Sequence, residues 1–442
     1  MILVVAVGVP FLSSALPYSD LVEHLLGADR NTWKEVLSNA FRGAVEYRPL
    51  MHVSIKAVYE LFGVRAWPYY ALVLAQYGAV LGLLVILFRP IGIRRGIAAT
   101  VALACFAGLH TSRSSFLLVP VNVYSASLIL LLGAIVLAIN RPNARLDWIF
   151  VFVATAAVLL LELGVVLLPV LLILFLARAP GVSWRGVLCT LIVVALYAAY
   201  RRRTGADVPV IYTETGLGFS APSVEQLRQT FRHAPWMLYA YNTASTLFTV
   251  LFSEPRAGIF VFVQRLLIGA VPGYMWLHIV TSTCTTLFVA AVLMALRPFT
   301  TRDRHLIAAG LALMSFGSAL GFLYTRDRIG LTAGVGYALL LYVCGAQFLE
   351  RARTMAVWRR TAVAVVVSML AVGWMLRTTE LWFRVHDNPW DVQVEWRSKF
   401  GNNPAGAPDS IVERLRVDAL SRAPSDPRDD PAWSRRLFER AY

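Results

Sequence analysis

Apolar runs near 20 residues long recur along most of this chain, and no other feature narrows its fold so far. A helix needs about 20 consecutive apolar residues to cross ~30 Å of hydrocarbon. Runs at or near that length are read around 2–18, 67–88, 96–111, 121–140, 148–161, 164–178, 186–200, 235–253, 257–272, 274–296, 305–323, 329–348 and 361–378. Lipid offers backbone groups no water to bond, so a spanning segment has to satisfy them within a helix or a closed barrel, and runs of this length do so as helices. Hydrophobic residues make up 58% of the 442 and charged residues 15%, against about 25% charged in soluble domains. The expectation is an all-α, polytopic transmembrane helical bundle of about 11–13 spans, with interfacial helices in a first external loop and a short exported helical tail. The runs near 96–111 and 148–178 are short for an upright crossing, so they are predicted to be tilted, broken or shielded by neighbours.

The net charge of +15 is carried by residues 1–378, because 379–442 holds ten bases against eleven acids. A basic excess in membrane loops reads as topology and attraction to lipid phosphate. It does not read as a nucleic-acid signature. The clusters Arg89/Arg94/Arg95, Arg141/Arg145, Arg297/Arg302/Arg304 and Arg351/Arg353/Arg359/Arg360 all fall in cytoplasmic loops under the positive-inside rule. The loop 19–66, the loop 324–328 and the tail 379–442 then face outward. Arg201–Arg203 falls outside if 148–178 makes two spans, and inside if it makes one and 257–272 is not a span. The second long loop, 201–234, is external in the first case. Only Lys34, Lys56 and Lys399 are lysines, an arginine bias typical of high-GC bacterial genomes. Cys105, Cys189, Cys284 and Cys344 stand singly in apolar segments without metal or redox spacing.

The loops also carry local signals. "NTWKEVLSNAF" predicts an amphipathic interfacial helix capped by Asn31 or Thr32. "YRPL" predicts a helix entered through Pro49, running to Leu61 and ended by Gly63. Helices are also expected over 223–233, 409–421 and 431–440.

Few residues stand out as chemistry. Asp20 follows a leader, Met1–Pro17, without a charge. It is either the N-cap of the helix that begins near Leu21 or a carboxylate at the membrane–water boundary, able to take a proton from a hydroxyl. Glu23 lies beside it. Arg48, at the entry to the Pro49 helix, could bind phosphate or snorkel to lipid headgroups. Glu162, in "LLLELGVVLLP", marks the turn between two short spans or points into the bundle. Arg326 and Arg328, in "LYTRDRIGLTAGVGY", could clamp a phosphate leaving group or form a surface turn neutralised by Asp327. His24 and His52 flank the first external segment and could line a site or simply lie in the interface. The histidines form no metal-ligand pattern, and the sequence has no P-loop, Rossmann glycine pattern or catalytic triad signature. No metal or cofactor is called for.

Taken in order, "YSD", the external amphipathic segment, "YRPL…LFGVRAWPYYALVLAQ", "LLLELGVVLLP", "YTRDRIGLTAGVGYALL" and "ELWFRVHDNPWDVQVEWRSKFGNNP" resemble the polytopic GT-C-type glycosyltransferases. The likeness is to the O-mannosyltransferase-like branch with tetratricopeptide tails. It runs through nearly the whole chain, in short and degenerate motifs. Ser19 replaces the first acid of the usual pair, Leu161 replaces a Lys before Glu162, the Gly-to-Pro spacing before the second span is longer, and the tail is too short for a repeat array.

The resemblance implies an enzyme of the bacterial inner membrane whose tail lies on the periplasmic side. Its donor would be a polyprenyl-phosphate-linked sugar and its acceptor a glycan, lipid or protein hydroxyl. Asp20 would be the base of an inverting transfer, and Arg48, Arg201, Arg202, Arg326 and Arg328 would be candidates to hold the donor phosphate. The departures also fit a non-catalytic subunit that uses the same scaffold to hold a partner membrane complex. A transporter would show acids buried mid-span and symmetric repeats, and neither is read here.

Overall fold

The computed structural model describes residues 12, 14–17, 20–42, 48–117, 123–141, 147–203, 224–231, 235–252, 259–295, 298–323, 327–400 and 410–421. Among these residues every regular element is helical. Seven helices are long and apolar enough to cross a membrane, so the protein is a multi-pass helical membrane protein, as composition predicts.

The first external segment folds into three short helices. Helix α1, Asp20–Arg30, is followed by α2, Trp33–Arg42, and α3, Pro49–Phe62. Helix α2 starts from a capping box. The Thr32 N–H donates to Glu35 Oε2 at 2.7 Å, and the Glu35 N–H donates back to Thr32 Oγ1 at 3.3 Å, which satisfies two donors a helix start leaves open. Thr32, and not Asn31, takes the role. Helix α3 is entered through Arg48 and Pro49 and stops at Gly63, whose φ of 60° lies in the left-handed region that favours glycine. It packs on α1 and α2.

The bundle proper begins with α4, Ala66–Phe88, and α5, Ile93–Gly108. A short α6, His110–Leu117, leads to α7, Val123–Asn140. Then come α8, Asp147–Leu160, a 3-10 turn over Glu162–Val166, α9, Leu167–Leu176, and α10, Trp184–Arg203. After α11, Val224–Phe231, and α12, Pro235–Phe252, the segment read as a span near 257–272 holds instead α13, Ile259–Leu267. Nine residues rise about 14 Å, far less than a crossing, so that expectation is corrected. Three long helices follow, α14, Gly273–Ala295, α15, Thr301–Ala319, and α16, Leu331–Ala352. Helix α16 is buried on every side. Small residues let α15 approach it closely, with Gly310 against the Gly336 carbonyl and Gly317 against Thr332. The last two helices are α17, Val357–Phe400, and α18, Ser410–Ser421. Helix α17 runs unbroken across residue 378. The helix expected at 431–440 lies outside the described residues.

The described arginines of the four clusters share one end of the bundle, while Arg145 and Arg297 lie outside the described residues. Arg95 bonds Glu350 at 2.9 Å and lies 3.7 Å from Asp303. Arg302 bonds Asn140 and the Leu87 carbonyl. His305 meets the Ala177 carbonyl, and Gln347 the Pro298 carbonyl. These contacts join the ends of α4, α7, α9, α14, α15 and α16 at one level, called here the basic end. The same contacts settle the segment 148–178. Helix α8 leaves the basic end, where Asp147 accepts from Ser183 at 2.7 Å, and α9 returns to it at Ala177. The two are the arms of a hairpin. Helix α10 then rises from Ser183 and carries Arg201–Arg203 to the opposite end.

Candidate functional site

The hairpin turn puts a carboxylate where few are tolerated. Helix α8 rises for about 20 Å from the level of Asp147 before the chain turns at Leu161, and Glu162 opens the 3-10 turn. The turn lies flat on its own helix. A Cβ on Gly164 would meet the Ala157 and Val158 backbone at 2.4 Å, so only glycine fits. That close turn fixes Glu162 beside the last residues of α10 and the entry to α3.

Two arginines converge there. Arg48 Nε donates to Glu162 Oε2 at 3.1 Å, and Arg48 Nη2 lies 3.1 Å from the same oxygen. Arg201 Nη1 donates to Glu162 Oε1 at 2.8 Å and to the Tyr197 hydroxyl at 3.1 Å. The side chains of Arg48, Glu162 and Arg201 are 18%, 25% and 26% exposed. The cluster is therefore only partly screened by water, and its charge-assisted bonds keep much of their strength. Glu162 sits in the turn between the two arms, and its side chain ties three segments. Of the five arginines expected to hold phosphate, Arg48 and Arg201 are the two these contacts bring together. Arg202 is exposed at the end of α10. Arg328 places its guanidinium 5.6 Å from the Tyr124 ring centroid. Arg326 and the side chain of Asp327 lie outside the described residues.

Asp20 enters through its backbone. It is the first residue of α1, and its side chain lies outside what is described. Helices α1 and α3 run parallel in a steady register. His24 meets His52 edge to face with ring centroids 5.8 Å apart. Lys56 Nζ donates to the Ala28 carbonyl at 2.7 Å, 28 residues away, and Tyr59 donates to Asp29. Carried one turn back, the same offset sets Asp20 level with Arg48. The two histidines thus pack on each other one turn beyond that level, and Glu23 is exposed. Burial first and the bond to Asp29 second push the Tyr59 phenol up to about 12, so it remains a donor. The bonds from Thr32 hold the Glu35 carboxyl below its ordinary value.

The segment before Asp20 is tied as well. Ser14–Pro17 is not helical, and Ser14, Ala15 and Leu16 are buried. The Tyr70 hydroxyl donates to the Ala15 carbonyl at 2.6 Å, and Trp396 Nε1 donates to the Leu16 carbonyl at 2.9 Å. Neither Tyr70 nor Trp396 is singled out by sequence reasoning, and nothing in the spacing could find a contact that spans 380 residues. Tyr197 was within reach of it, as the Tyr-x-x-x-Arg spacing puts Tyr197 and Arg201 on one helix face. Among the described residues, no group of three or more His, Cys, Asp or Glu side chains is placed to hold a metal.

No protein-family model matches the chain, and no curated protein sequence does either. Among solved structures the chain is similar to ArnT from Cupriavidus metallidurans bound to undecaprenyl phosphate, at 14% identity and a TM-score of 0.48, over 97% of this chain and 87% of that one. So loose a likeness adds nothing to the fold or the chemistry described above.

Proposed function

We propose that this protein is a membrane glycosyltransferase of the GT-C type, similar to the O-mannosyltransferase-like branch without its repeat tail. It would work at the outer face of a bacterial inner membrane, with the tail on the periplasmic side. The observation that carries the reading is the convergence of Arg48 and Arg201 on Glu162, at the level where α1 begins with Asp20. A guanidinium has five N–H donors in a rigid fork. Two such forks gathered on one carboxylate leave the cluster with a net positive charge, and an anionic phosphate matches that charge and the guanidinium donor geometry.

The donor is a sugar on a polyprenyl phosphate, whose chain lies among the apolar helices. Asp20 takes the proton of an acceptor hydroxyl as its oxygen attacks the anomeric carbon from the face opposite the phosphate. The bond from that carbon to the phosphate oxygen breaks, and its electron pair leaves with the polyprenyl phosphate, so the configuration inverts. The phosphate gains a negative charge as the bond breaks. Arg48 and Arg201 then bind the departing group more strongly than the donor, which lowers the barrier. Glu162 orients both arginines and takes no part in proton transfer.

The test uses the full chain in proteoliposomes with a panel of undecaprenyl-phosphate-linked hexoses and pentoses. Asp20→Asn should lower transfer by about 100-fold or more, the scale of a lost general base, with undecaprenyl phosphate still bound. Turnover retained in that variant refutes the role of Asp20. A wild type that binds no undecaprenyl phosphate refutes the whole reading.

A further inference from the structure

The carboxylate assigned as base begins a helix, and what precedes that helix decides where it stands. Ser14–Pro17 is non-helical chain with its first three residues buried. Buried carbonyls outside a helix need donors. Ala15 and Leu16 find theirs in two side chains from distant parts of the chain. Tyr70 stands in the first turns of α4, in the bundle, and is 1% exposed. Trp396 stands near the end of α17, in the tail, and is fully buried. The described part of the tail packs back on the bundle. Ile411, Val412, Leu415 and Ala419 of α18 belong to the same hydrophobic core as Leu16, Leu21 and Leu25, and Arg416 is locked to Glu413 by two bonds of 2.8 and 2.9 Å.

From this geometry we infer that Tyr70 and Trp396 are positioning residues for the Asp20 base, and that the C-terminal tail is a built-in part of the catalytic site. The inference rests on the transferase reading above. Two consecutive carbonyls, four and five residues before Asp20, are held by donors from α4 and α17, which restricts where α1 can start. These two bonds are made to backbone carbonyls, so they act on where the base stands. A base displaced by about 1 Å loses rate far more than it loses binding. Loss of either donor should therefore fall on kcat and spare the donor's KM. The Arg48–Glu162–Arg201 cluster is anchored on α3, the hairpin and α10, none of which carries Tyr70 or Trp396, so phosphate binding should persist.

Two measurements on the full chain in nanodiscs test this. The variants are Trp396→Phe and Tyr70→Phe, each of which keeps a ring in the core and removes the donor. In hydrogen exchange, either variant should speed exchange about tenfold across residues 14–25 and leave α15 and α16 unchanged. Unchanged exchange at 14–25 overturns the tether, and exchange raised throughout the bundle shows a general packing role and overturns it too. In transfer from whichever undecaprenyl-phosphate-linked sugar the wild type uses, each variant should lower kcat about tenfold with KM within twofold. A rise in KM at constant kcat, or no change in either, overturns the positioning role. A wild type that transfers nothing defeats the transferase reading and the positioning role with it, while the exchange result still reports whether the tail holds the segment.

Discussion

One ion cluster at each end of the bundle uses the same kinds of side chain in opposite proportions. At the basic end one guanidinium, Arg95, lies against two carboxylates, Glu350 at 2.9 Å and Asp303 at 3.7 Å. At the far end one carboxylate, Glu162, lies against two guanidiniums, at 2.8 and 3.1 Å. The first arrangement joins three helices and caps one of them, since Asp303 also bonds Thr300 at the start of α15. It does what a structural tie between helices has to do. The second is gathered from a helix entry, a hairpin turn and the end of a span, and it concentrates positive charge at the level where α1 begins. On the proposed function, proportion, more than residue type, separates a tie from a site that an anion would complete.

The sharpest way to break that contrast is to remove both far-end arginines. In the full chain in nanodiscs, Arg48→Ala with Arg201→Ala should weaken undecaprenyl phosphate binding by about 100-fold, as charge-assisted bonds contribute roughly 1.5–3 kcal/mol each and overlap when they share one ligand. Binding within threefold of wild type would mean that the cluster is a second structural tie. Glu162→Gln should act less strongly. It leaves both arginines in place but releases their orientation, and the expected loss of affinity is about tenfold. Tighter binding in Glu162→Gln would show the carboxylate competing with the ligand and would reverse its assigned role.

How much of this was legible in the sequence follows from the range of each interaction. The all-helical membrane fold was readable because apolar run length is a local property. So were the helix entered through Pro49 and stopped by Gly63, and a cap at Asn31 or Thr32, each end set within one turn. The run near 257–272 misled because a nine-residue apolar helix and a span share apolar composition, and where the helix stops is decided by its tertiary surroundings. The arginines at 48 and 201 could be named as candidates, and Glu162 as an acid in an unusual place. That the three meet depends on α8 and α9 forming a hairpin, which brings together residues 39 and 114 positions apart. Trp396 on Leu16 was beyond any local pattern for the same reason.

The basic end makes the complementary prediction. Arg95→Ala removes one partner from a half-buried pair and a further carboxylate, at a cost of about 1 kcal/mol. Thermal unfolding in nanodiscs should show the loss, while undecaprenyl phosphate affinity stays within twofold. A fall in affinity equal to that of the far-end variants would remove the distinction between the two ends.

The smallest expected effect compares two helix caps built on one plan. Thr300 and Asp303 start α15 at the basic end, and Thr32 and Glu35 start α2 at the other. Asp303 is buried and also faces Arg95, whereas Glu35 is fully exposed and touches only its own cap among the bonds described. Thr300→Ala should therefore lower global stability, and Thr32→Ala only the local order of residues 33–42, read by hydrogen exchange. The Glu35 cap should also respond to pH. Its carboxyl is held below the ordinary value by the Thr32 bonds, so the stabilisation is fully present above the unfolded-state value and fades as pH falls through the folded one. Exchange over residues 33–42 should speed up on acidification in the wild type, and more weakly in Glu35→Gln, where no carboxylate remains to protonate. Equal acceleration in the two proteins would detach the pH response from this cap.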